Sequence, residues 1–129
     1  MRSRLWMVIL AVTLFPAATD SLFGQIDTTR MRTYYMVFLF KGPNRSQDSV
    51  ESDHLQKAHM ENIARLAREG SLVVAGPFMD DGDLRGIFIF AVGSMDETER
   101  LVETDPAVRA GRLRYEIHPW LSQRGSRLP

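Results

Sequence analysis

The chain has 129 residues, 44% apolar and 25% charged, enough for one domain with a real core and too short for two ordinary ones. Sixteen basic residues balance sixteen acidic ones, which leaves no global field for nucleic acid or acidic membranes. There is no cysteine, so disulfides, thiolate nucleophiles and cysteine-based zinc sites are excluded, and stability must come from packing and from oligomerisation.

Residues 1–24 read as a secretory signal peptide: a cationic "MRSR", the eleven-residue apolar run "LWMVILAVTLF" from Leu5 to Phe15, and the small residues of "PAATDSLFGQ". A spanning helix needs roughly 20 apolar residues, so this run is short for one; an uncleaved membrane anchor is the alternative. Cleavage after Ala18 or after Gly24 fits the A-x-A pattern only loosely. Cleavage after Gly24 removes Arg2, Arg4 and Asp20, leaving 14 basic and 15 acidic residues. The expectation is a secreted or periplasmic protein without stable membrane insertion after cleavage.

"TYYMVFLFK" (Thr33 to Lys41) is predicted as a first strand, apolar at consecutive positions and therefore buried on both faces. "GPNRSQDS" follows as a loop, and a helix runs from Ser52 or Asp53 to Glu69, with Leu55, Ala58, Asn62, Ile63 and Leu66 at helical spacing and Gly70 as its stop. "SLVVAGPFM", the turn "DDGD" (Asp80 to Asp83) and "RGIFIFAV" form a hairpin. Ser94 and Glu97 have capping-box spacing at the start of a second helix through "MDETERLVET", "DPAVRAG" is a short helical turn, and "RLRYEIHPW" is a fourth strand. The order β-α-β-β-α-β is the ferredoxin-like pattern of α+β proteins, assigned to residues 33–120 with 121–129 as a tail. Strand four alternates, with Leu113, Tyr115 and Ile117 on one side and Arg112, Arg114, Glu116 and His118 on the other, as an edge strand should. Two helices cover one sheet face only, and the other, apolar face predicts a homodimer with sheets packed face to face.

His59 carries the main functional signal. On a helical wheel it lies about 40° from Leu55, between Leu66 at about 20° and Ile63 at about 80°. A neutral imidazole in this stripe needs partners, because each unsatisfied buried polar atom costs roughly 1–3 kcal/mol. A core histidine bonded to a backbone carbonyl is one reading and a functional group is the other. Asp105, in "TDPAV", has the position of an N-cap before a proline at the first helical residue; a carboxylate has lone pairs to spare for a second partner. Gly76 and Pro77 end the second strand, either as simple punctuation or as a place where a ligand approaches the backbone closely.

The segments "HMENIARLAREGSLVVAGPF", "FAVGSMDETERLVETDPAVRAG" and "YEIHPW" together resemble the YCII-related family of small dimeric α+β barrel proteins, over about Tyr34 to Trp120. The resemblance implies that the helix histidine, here His59, and the aspartate of the DP motif, here Asp105, meet in a cleft as a His-Asp catalytic pair. It also implies dehydrochlorination or lactone-type chemistry on small oxygenated rings in some relatives. In such a pair the carboxylate fixes the tautomer and stabilises the protonated ring, leaving the second nitrogen to move a proton on substrate. Gly76 and Pro77 are the expected substrate-binding positions.

His54 lies about 140° from His59 on a helix, too far round to share a metal, and neither HExxH nor an EF-hand loop is present. No metal and no cofactor is expected. His118 reads as a solvated edge or a dimer rim. Two functions follow: a lyase or isomerase acting on a small oxygenated molecule by acid/base chemistry, or a non-catalytic dimeric protein that binds a small ligand or serves as a scaffold. A small-molecule ligand and a second copy are the expected partners; nucleic acid is not.

Overall fold

The computed structural model describes residues 28–126; the proposed signal peptide lies outside them. A 3-10 turn at Thr28–Arg30 leads into strand β1, Met31–Lys41. Helix α1 is Ser49–Arg68, followed by strands β2, Leu72–Pro77, and β3, Leu84–Phe90. Helices α2, Met95–Val102, and α3, Pro106–Arg109, precede strand β4, Leu113–Gln123. The strands form one antiparallel sheet in the order β2-β3-β1-β4. This is the ferredoxin-like α+β fold, the fold of the dimeric α+β barrel proteins, with the two apolar strands at its centre.

Helix α1 begins earlier than its apolar periodicity indicates. Asp48 caps it, its Oδ1 accepting from the Glu51 amide at 2.9 Å, which adds Ser49, the last residue of the expected loop, and the following Val50 and Glu51 to the helix. At the other end Gly70, at φ +79°, closes the helix, with its amide and that of Ser71 bonded to Ala67 O and Leu66 O. Ser94 caps α2 as the capping box predicts, accepting from the Glu97 amide at 3.1 Å, while the Glu97 carboxylate returns to Gly93 N at 3.0 Å. Helix α2 stops at Val102, short of the predicted Thr104, because the residue before Pro106 is driven to extended backbone; Asp105 has ψ 121°. Strand β4 continues past Trp120 to Gln123, and Pro119 is tolerated because β4 lies at the edge.

Register places Tyr35, Val37 and Leu39 of β1 beside Phe90, Phe88 and Gly86 of β3 on the face that carries the helices. There Val37, Leu39, Leu66, Leu72, Phe88, Phe90 and Val102 form the core; each large side chain fully buried contributes roughly 1.5–3 kcal/mol. On the opposite face lie Met36, Phe38 and Phe40, beside Ile89, Ile87 and Leu84. None of the described helices covers them.

Candidate active site

Between α1 and the helix-bearing sheet face opens a cleft of about 420 Å³, lined on its apolar side by Leu39, Met60, Ile63, Phe88, Ala107 and Leu113. His59 projects into it from α1. Its ring stacks on Phe88, centroids 6.0 Å apart with 25° between planes, so one imidazole face is covered by an aromatic ring and the rotation of the side chain is restricted.

His59 Nδ1 lies 2.6 Å from Asp105 Oδ2. The aspartate is fully buried and the histidine side chain is 12% exposed. Asp105 also caps α3, its Oδ1 accepting from Ala107 N at 2.9 Å. One carboxylate therefore does both things that the sequence allowed, one oxygen for the cap and one for the histidine. The Ala107 amide offsets part of the buried negative charge and locks the carboxylate's orientation. An ionised carboxylate only accepts, so Nδ1 carries the imidazole proton and the Nε2 lone pair is the free one. Among the described residues no protein group bonds Nε2.

Gly76 and Pro77 also line the cleft. Gly76 is paired with Ile87, so a side chain there would leave the sheet on the face away from the helices, where a Cβ meets nothing within 4 Å. The glycine that close approach does require is Gly86. A Cβ on it would lie 2.6 Å from Gly76 O and 3.2 Å from Pro77 Cα, so Gly86 lets β2 and β3 close up at the cleft wall. Its signal in the sequence is an isolated glycine inside the apolar run of β3.

Three arginines that the sequence reading did not place in the site also line the cleft: Arg45, Arg85 and Arg112. Arg112 belongs here rather than beside Arg114 and Glu116 because Gly111, at φ +69°, terminates α3 and β4 starts only at Leu113. Backbone bonds from Gly42 N to Arg112 O, 2.9 Å, and from Asn44 N to Gly111 O, 3.0 Å, clasp the two loops. Gly42 is obligatory in that clasp, since a Cβ would lie 2.1 Å from Gly111 O. Arg45 is held there by a bond from its Nη1 to Arg112 O, 3.1 Å.

The other histidines lie elsewhere. His118 packs edge-on against Phe38 at 5.6 Å on the opposite sheet face, with Glu116 3.8 Å from its Nε2. His54 is exposed on α1. Among the described residues no three of His, Cys, Asp and Glu are grouped to hold a metal ion, and no helix is long and apolar enough to cross a membrane.

The structure thus places a histidine bonded to a buried carboxylate in a cleft between a helix and a ferredoxin-like sheet of a small α+β protein. The YCII-related domain matches residues 33–121, and the chain belongs to the YCII-related family. Among solved structures it is similar to the 5-chloro-2-hydroxyhydroquinone dehydrochlorinase from Burkholderia phenoliruptrix AC1100 in complex with 2,5-dihydroxybenzoquinone. That likeness has 23% identity and a TM-score of 0.51, over 67% of this chain and 92% of that one. It is also similar to muconolactone isomerase, at 16% identity and a TM-score of 0.57, over 72% of this chain and 93% of that one. These likenesses establish the shared fold. No curated protein matches the sequence.

Proposed function

We propose that the protein is a lyase or isomerase that moves a proton on a small oxygenated organic molecule, with no cofactor, using His59 as acid/base and Asp105 as its positioning residue. The observation that carries this reading is the 2.6 Å bond from Asp105 to Nδ1, which leaves Nε2 as the free nitrogen in a cleft of ligand size. The names of the two structural relatives, a dehydrochlorinase and an isomerase, favour the same class of chemistry.

The step needs a carbon acid next to an electron-withdrawing oxygen function. The Nε2 lone pair takes the C–H proton, and the C–H electron pair moves toward the oxygenated group. The imidazolium is stabilised by the Asp105 carboxylate, which keeps its charge. Return of the proton to a different atom completes an isomerisation; expulsion of a leaving group with the electron pair completes an elimination. Phe88 and the apolar wall keep bulk water from the transferring proton.

A screen of oxygenated small molecules against the full chain, read for turnover with wild type and with His59→Ala, tests the proposal. Some activity that the variant loses is expected. Equal turnover by both proteins overturns it, and a ligand bound without turnover points to the non-catalytic reading.

The same proposal includes export and self-association. The cationic start and apolar run before Pro16 favour a cleaved signal peptide, so mature protein from an exporting host should begin between Thr19 and Ile26; an intact Met1 in secreted material defeats this. The apolar sheet face favours a homodimer.

A further inference from the structure

We propose that the arginine-rich end of the cleft is an anion-binding subsite that holds the carboxylate, or a like oxyanion, of a small ring-bearing substrate beside His59. The proposal deepens the catalytic reading above and takes its view of the cleft as the substrate site.

The register brings the three arginines to one end of the sheet. Phe40 is paired with Leu84, and Lys41 with Leu113, so Arg85 and Arg112, each adjacent to one of these partners, flank the C-terminal end of β1 from its two sides. Arg45 is clasped to the backbone of Arg112. Among the described residues the cleft lining includes these three cations and no aspartate or glutamate. Asp105, behind His59, is already engaged through both oxygens.

The arginines are also unneutralised. Among the described residues Arg45 bonds the Arg112 carbonyl, Arg85 the carbonyls of Asp80 and Gly82, and Arg112 the side-chain oxygen of Gln47. Among the described residues none of them has a carboxylate within 4.0 Å, whereas Arg65 is paired with Glu69 and Arg114 with Asp83. The contrast is sharpest at Arg85. It lies two residues from Asp83, yet that carboxylate is 2.6 Å from Arg114, and Arg85 takes two backbone oxygens instead.

Each bond from the three guanidinium groups uses Nη1. The remaining N–H donors are spare, and a planar fork of such donors matches a carboxylate through two parallel bonds. Three like charges around an apolar-walled concavity focus a positive potential that the overall neutrality of the chain conceals. The apolar wall of Leu39, Ile63 and Phe88 then fits the ring, and the anion end fixes which ring carbon meets Nε2.

Isothermal titration of the full chain with benzoate, and with benzamide as its neutral counterpart of the same shape, tests the subsite without turnover. Benzoate is expected to bind about tenfold more tightly or better, and Arg45→Gln and Arg85→Gln should each remove much of that preference. Arg68→Gln, on the far end of α1, should leave it intact. Arg45 is exposed, so its variant folds even where another fails; dispersed amide spectra check this. Equal affinity for the two probes, or a benzoate preference unchanged in both variants, overturns the proposal and leaves the arginines as solvated surface charges. Benzoate preference with no turnover of any carboxylate in the screen would support the subsite while counting against the catalytic reading, and turnover confined to neutral substrates without benzoate binding would do the reverse.

Discussion

At the scale of single residues, the double use of Asp105 makes two effects separable. Asparagine caps helices about as well as aspartate, so Asp105→Asn should cost roughly 1 kcal/mol of stability or less from the cap. Its amide can donate to Nδ1, which forces the proton onto Nε2 and removes the base. Turnover should fall by roughly 10²–10⁴, the usual worth of general acid/base catalysis, while nitrogen NMR of His59 shows the protonated nitrogen switching from Nδ1 to Nε2. Full activity with a switched tautomer would sink the assignment. Gly86→Ala drives a methyl group into backbone atoms of β2 and should cost roughly 1–3 kcal/mol in urea unfolding. Gly76→Ala, with an open position, should change stability by about 0.5 kcal/mol or less; equal costs would contradict the close approach of β2 and β3 at Gly86. His59 was legible because a histidine interrupts an apolar stripe, and Asp105 was legible as a helix cap because it precedes a proline; their pairing followed only from the resemblance of these motifs to the YCII-related family. Gly86 and the three arginines were not, since their role depends on which backbones and loops come together across the sheet.

At the scale of elements, β4 and α2 are joined by Tyr115, whose hydroxyl approaches Glu103 at 3.2 Å and Glu99 at 3.5 Å. Burial, then the hydrogen bond and charge of Glu103, then Glu99, push this phenol from 10.0 up to about 12. The protonated form is favoured in the folded state, so the contribution is fully present below pH 10 and is lost as pH rises through about 12. Phenolate absorbance should contain a component near pH 12 that is absent from Tyr115→Phe; its persistence would assign it to another tyrosine. Element order and type followed from the helical spacing of α1, the unbroken apolar runs of β1 and β3, the alternation in β4 and the turn and capping residues between them. Boundaries followed less well, because they are set by single contacts: the Asp48 cap lengthens α1, and Gly111 delays β4 by a residue, which moved Arg112 from the sheet edge to the cleft.

For the whole molecule, the sheet face bearing Met36, Phe38, Ile87 and Ile89 sets the expected assembly. Light scattering at micromolar concentration should give a dimer, and Phe38→Glu, which places a charge at the centre of that face, should give a folded monomer. A wild-type monomer would refute the packing. The sheet itself is uneven. The β1–β3 register runs from Phe40 to Tyr35, so among the described residues Met31 to Tyr34 pair with Trp120 to Gln123 of β4 and not with β3. A two-stranded ribbon is marginal alone, and here the Tyr34–Trp120 contact, 6.0 Å between centroids, is its main aromatic support. Amide hydrogens across the molecule should therefore exchange in two regimes: those of the ribbon by local opening, far faster than the rest of β1, and that of Val37 only with global unfolding. Exchange would then read this one strand as two units, a fraying arm and a rigid floor, with the cleft resting on the floor.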